Sequence, residues 1–154
     1  MQHRVALGIQ REPAVEYCRA EGEENSVQRF LAESFWDWGI PTVASLTEIA
    51  QSVMIPVIAS GGVRSGTDMA KALALNACLA SVSQPVLQAA VKGSKNTGIT
   101  LMCMIEELRN VMFLVGAEKV EQLTKTPIVI TGRTAEWLET RGFNVDKYAR
   151  RGAR

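Results

Sequence analysis

The nine residues Ser60-Gly61-Gly62-Val63-Arg64-Ser65-Gly66-Thr67-Asp68 combine what an anion-binding turn requires. They follow an apolar run, Ile55 to Ala59, and precede a helical pattern. Gly61 and Gly62 let the backbone approach an anion with no Cβ in the way, and N–H groups at the following helix start point at it. Arg64 adds a charged donor that can meet phosphate oxygens in pairs. The same glycines would also serve a plain tight turn. The order strand, glycine pair, arginine, helix favours phosphate.

No catalytic or metal-ligating set accompanies this turn. The only histidine is His3, read as part of a frayed terminus. Cys18, Cys78 and Cys103 are odd in number and widely spaced, which suits neither a disulfide framework nor a metal site. Cys78 and Cys103 lie in apolar patterns and are expected in the core. With no secretory leader, the thiols suit a reducing cytoplasm.

The elements that must position the turn alternate between short apolar runs and helical patterns. Strands are expected near residues 5–9, 41–45, 56–60 and 78–83, side by side in that order. Ile40-Pro41-Thr42-Val43-Ala44-Ser45 and Ile55-Pro56-Val57-Ile58-Ala59-Ser60 are an internal echo, each entered through proline where no ladder donor is needed. Helices are expected from Ser26 to Trp38, over Thr47 to Val53 and over Thr67 to Leu75. Continuous apolar strands separated by helices imply parallel pairing with both faces covered. The class is α/β, and alternation alone does not decide between an open sheet and a barrel. In parallel barrels the turn after the seventh strand and the loop after the eighth share a phosphate site. Ser81 to Pro85 is the second loop here.

After Pro85 the pattern is helical. Ile99, Met102, Cys103, Leu108, Val111, Met112 and Val115 share helical spacing, and Gly116 ends the run. The methionines there are expected to fill core. A short helix around Val120 to Leu123, a small strand Pro127 to Thr131 and a last helix from Glu136 to Gly142 follow. The basic tail from Tyr148 reads as a solvated end.

The bulk numbers exclude more than they assign. A chain of 154 residues with 47% apolar and 21% charged residues is one globular domain. A net charge of +1 supports neither nucleic acid nor an anionic membrane as partner. No apolar run is long enough to span a bilayer.

Three segments carry a family resemblance. Trp36-Asp37-Trp38-Gly39-Ile40-Pro41-Thr42 with Ala44-Ser45-Leu46, then Pro56 to Asp68 with Ala70 to Leu75, and finally Glu106 to Ala117 with Pro127 to Gly132 resemble type 2 isopentenyl-diphosphate isomerases. The resemblance runs from about Ala14 to Gly142. It implies a (β/α)8 TIM-type barrel, of which this chain would be the C-terminal half (strands 5–8) plus a helical C-terminal extension. Residues of about 5–92 would form the β/α units and 93–154 the extension, within one domain. The implied activity is interconversion of isopentenyl and dimethylallyl diphosphate with reduced FMN, Mg2+ on the diphosphate and NADPH as reductant. The implied FMN-phosphate contacts are Gly61, Gly62, Val63 and Arg64, then Ser83 and Gln84.

The chain also departs from the family pattern. Leu7-Gly8-Ile9-Gln10-Arg11-Glu12 stands where a glycine-rich, threonine-containing FMN loop is expected. Asn76-Ala77 replaces a Gly-Ala pair, Ser81 a glycine, and Ser83-Gln84 a small apolar pair; each change is expected to reshape the cofactor cradle. A complete barrel needs roughly 250 residues. The family's allylic-carbon glutamine, metal-binding glutamate and flavin-contacting lysine have no counterpart here, so activity is expected to need an N-terminal half. A homo-oligomer is the other expected partner. Two further readings are a different FMN-barrel oxidoreductase and a non-enzymatic, self-assembling half-barrel that holds a phosphate ligand.

Overall fold

The computed structural model describes residues 4–7, 30–31, 33–35 and 38–152. His3, Cys18, the helix start at Ser26 and the stretch Gly8 to Glu12 lie outside them. Among the described residues, three strands form one sheet: β1 (Arg4–Leu7), β2 (Val57–Ser60) and β3 (Leu79–Ala80), in the order β1-β2-β3. All pairing is parallel, with Val5 opposite Ile58, Leu7 opposite Ser60, and Ala59 opposite Ala80.

The expected strand over 41–45 is a correction: the chain is helical there, in α1 (Thr42–Ser52). Its apolar residues continue past Ser45 as Leu46, Ile49 and Val53, a helical period that the proline-led echo concealed. Pro41 sits at the N-cap, where its missing N–H costs nothing, and its carbonyl accepts from the Ser45 N–H at 3.0 Å. No place remains for a strand, since β1 bonds directly to β2.

Helix α2 (Gly66–Ala74) starts at Ser65, whose Oγ accepts from the Asp68 N–H. It ends in a Schellman turn: the Asn76 N–H reaches the Leu73 carbonyl and the Ala77 N–H the Ala72 carbonyl. Asn76 has φ 75°, the left-handed conformation that asparagine tolerates better than most residues. The position lies at the far end of α2 from the glycine turn, so the expectation that it reshapes the cradle is corrected.

Helix α3 (Gln84–Val91) leads to the long α4 (Ser94–Leu114), which closes at Gly116 as its sequence predicts. A 3-10 helix (Val120–Lys125), α5 (Gly132–Thr140) and α6 (Asp146–Ala149) complete the order. The expected strand Pro127 to Thr131 is instead an irregular segment, fastened by the Ile128 N–H to the Tyr148 carbonyl at 3.0 Å.

Three apolar clusters hold these parts. Val57 and Ala59 of β2 pack with Leu46, Ala72, Leu75, Ala77 and Tyr148. Ala70, Leu73, Ala74, Ala117 and Leu123 join α2 to the extension, and Ala44, Leu138 and Val145 join α1 to α5. Ile128 packs on the first two clusters, and Ile130 on the first and third.

Several burial expectations are overturned. Cys78 and Cys103 are exposed, and Met102 is 67% exposed while Met104 is buried. Packing on α4 follows Met104, Leu108 and Val111, so Met102 and Cys103 fall on the outer face. The tail is no solvated end: Tyr148 is 0% exposed. Arg151 donates to the Ala74 carbonyl and, at 2.9 Å, to Asn76 Oδ1, with its guanidinium 4.4 Å from the Tyr148 ring centre.

Candidate functional site

The glycine turn leaves the C-terminal end of β2. Gly61 and Gly62 have φ of 84° and 85°, so both positions need the freedom that only glycine has without strain. Val63 is buried and anchors the turn beneath Arg64. Arg64 donates its backbone N–H to Asp68 Oδ2 at 3.2 Å, while Asp68 donates its own to Ser65 Oγ at 3.1 Å. These two bonds fix the turn against the first turn of α2.

The Arg64 side chain reaches the next strand's loop. Its Nη2 donates to Gln84 Oε1 at 3.1 Å. Gln84 is the first residue of α3, with Ser83 as exposed N-cap and Pro85 in the first turn. Two helix starts therefore meet beside one guanidinium, at the C-terminal ends of adjacent parallel strands. Positive helix ends and an arginine together favour an anion.

All six expected contact residues are described. Gly61, Gly62 and Val63 line a cavity of about 80 Å³ with Thr42, Val43 and Leu46 of α1 and Asp68, Lys71, Ala72 and Leu75 of α2. Arg64 and Gln84 touch, and Ser83 adjoins them without a side-chain capping bond. The donor set suits the phosphate of FMN: a glycine pair, an arginine, a serine hydroxyl and a helix-initial amide side chain. Among the described residues no cluster of three or more His, Cys, Asp or Glu could hold a metal. No helix there is long and apolar enough to cross a membrane.

Sequence reasoning missed Glu107. Its Oε2 accepts from the Gly66 N–H at 2.7 Å, bringing a carboxylate from α4 to the start of α2. No signal in the sequence marks it, because its partner is a backbone amide on another element.

Residues 36–130 match the model of the FMN-dependent dehydrogenase family. The chain belongs to that family. Membership carries a TIM-barrel type of fold, and the parallel strands with helices between them agree with it. The isopentenyl-diphosphate delta-isomerase of Methanothermobacter thermautotrophicus is 51% identical over 138 residues, 90% of this chain and 38% of its own length. Proteins of the same name from Thermococcus onnurineus and Methanosarcina mazei are 52% and 47% identical over 82% and 85% of this chain. The resemblance read from the tryptophan segment and the C-terminal stretch is borne out by these matches. The chain spans only 33–38% of the length of these three relatives.

Proposed function

We propose that this chain supplies the FMN-phosphate side of an isopentenyl-diphosphate isomerase, interconverting isopentenyl and dimethylallyl diphosphate in isoprenoid synthesis. The observation that carries the reading is the 51% identity over 90% of the chain to a protein of that name. The meeting of Arg64 with Gln84 supports it locally.

In this reading Gly61, Gly62 and Val63 lend backbone amides to the cofactor phosphate. Arg64 neutralises its charge, and Ser83 and Gln84 close the other side. Bound reduced FMN supplies acid–base chemistry at the allylic carbon. The chain's own part is positioning, which accounts for much of any enzyme's rate. Mg2+ on the substrate diphosphate and NADPH as reductant complete the scheme, with no ligands assigned among the described residues.

The sheet supports a division of labour. Leu79 is 59% exposed on the face opposite Val57 and Ala59, whereas parallel sheets bury both faces. The β/α part, about 5–92, and the extension, 93–154, act as one domain, an arc of a barrel. Groups that touch the substrate come from a further segment, an N-terminal half in the same polypeptide or in a partner, or from a homo-oligomer. The complete enzyme works in the cytoplasm.

The test is isomer exchange with isopentenyl diphosphate, Mg2+, FMN and NADPH. The 154-residue chain alone is expected to bind flavin and turn over little. An acid–base group must sit within hydrogen-bond reach of the reacting carbon, and in this reading it comes from the further segment and the bound flavin. Turnover at the rate of a whole enzyme would refute the division of labour. Flavin reduction by a small organic acid would favour the other reading, an FMN-barrel oxidoreductase.

A further inference from the structure

We propose that Glu107 is a positioning residue for the phosphate turn, holding it from the extension helix α4; this rests on the reading of that turn as the FMN-phosphate site. The amides on either side of Ser65 each end on a carboxylate. Arg64 N–H is held by Asp68, within the turn itself, at 3.2 Å. Gly66 N–H is held by Glu107, 41 residues further along the chain, at 2.7 Å. The backbones meet at the same place: a Cβ on Gly66 would lie 2.1 Å from the Met104 carbonyl oxygen and 2.6 Å from Glu107 Cβ. The start of α2 is therefore docked onto α4 with no slack, and Glu107 is the polar fastening of that contact.

Geometry and charge act in opposite directions here. The hydrogen bond holds the turn that presents Gly62 to Arg64. The negative charge at the start of α2 stabilises that helix, yet it repels a phosphate brought to the same end. Glutamine keeps the side-chain length and a carbonyl oxygen that accepts from Gly66 N–H, and it removes the charge. Alanine removes both. A fastening role thus predicts that FMN affinity falls with alanine and does not fall with glutamine.

The experiment compares the 154-residue chain with its Glu107→Gln and Glu107→Ala variants. Amide exchange is followed by mass spectrometry, and FMN and riboflavin affinities by fluorescence. Glu107→Ala is expected to speed exchange over residues 62–68 while residues 132–140 keep wild-type rates. It should weaken FMN about tenfold, the scale of one modest hydrogen bond. Glu107→Gln should keep wild-type exchange and bind FMN as tightly as wild type or severalfold tighter. Riboflavin, which lacks the phosphate, should show no gain. Unchanged exchange over 62–68 in Glu107→Ala overturns the proposal. So does equal acceleration at 132–140, which marks a general loss of stability, or a Glu107→Gln protein as weak as Glu107→Ala. If wild type binds no FMN, the phosphate reading fails, and the exchange pattern alone decides the fastening role.

Discussion

Arg64 and Gln84 join the ends of two neighbouring strands, the guanidinium Nη2 donating to the amide Oε1 at 3.1 Å across 20 residues of sequence. The bond sets the arginine between two helix starts, where a phosphate would meet it as a charged partner. Replacing Arg64 with alanine should cost about 1.5–3 kcal/mol of FMN affinity, the range for hydrogen bonds to charged groups. Fluorescence titration reads this directly, and an unchanged dissociation constant would count against the site. Gln84→Ala should cost less, because it loosens the arginine without removing it.

Gly66 leaves no room for a side chain. A methyl group there meets backbone, the Met104 carbonyl oxygen at 2.1 Å, so no side-chain rotation relieves it. Gly66→Ala should destabilise the protein by about 3 kcal/mol, the upper range for overpacking. For a chain of this size that lowers Tm by roughly 6–12 °C, measurable by calorimetry. A variant as stable as wild type would mean that α2 and α4 can separate freely.

Tyr148 makes stability fall at alkaline pH. Burial pushes its phenol above the usual value of 10.0, against the smaller opposing influences of Gln51 and Arg151. The sign follows from linkage: the unfolded phenol ionises first, so the stabilisation is complete below pH 10 and lost as pH rises toward the raised folded value. The Tm of wild type should drop more steeply above pH 10 than that of Tyr148→Phe. Parallel curves would remove Tyr148 from the alkaline transition.

Glu48 fastens α1 to α5. Its Oε1 accepts from Trp137 Nε1 at 2.9 Å and Arg141 Nε at 2.7 Å, and its Oε2 accepts from Arg141 Nη2 at 3.1 Å. The fork is bidentate, though Arg141 is half exposed and screened by solvent. A double-mutant cycle of Glu48→Ala and Arg141→Ala should give a coupling of about 1 kcal/mol, at the upper end for surface pairs. A coupling near zero would leave the joint to packing alone.

The glycine turn was legible because its shape depends on local chain order: strand, two glycines, arginine, capped helix. The same holds for α2 and the close of α4, where Ser65 and Gly116 mark the ends. What failed was longer in range. Residues 40–45 and 55–60 match in composition, and only the continuation through Leu46, Ile49 and Val53 separates helix from strand. Tyr148 and Arg151 looked like a basic tail because nothing in the sequence says that Ala74 and Asn76 lie beside them. Glu107 was hidden for the same reason: its partner, an amide 41 residues away, carries no side chain to pair with.

The irregular segment with Ile128 and Ile130 touches all three apolar clusters. Removing the extension would uncover β2, α1 and α2 together. The β/α part and the extension should therefore melt as one cooperative unit, in a single calorimetric transition whose enthalpy agrees with the van't Hoff value. A fragment ending near residue 92 would keep the glycine turn in its sequence and lose the surface on which that turn folds.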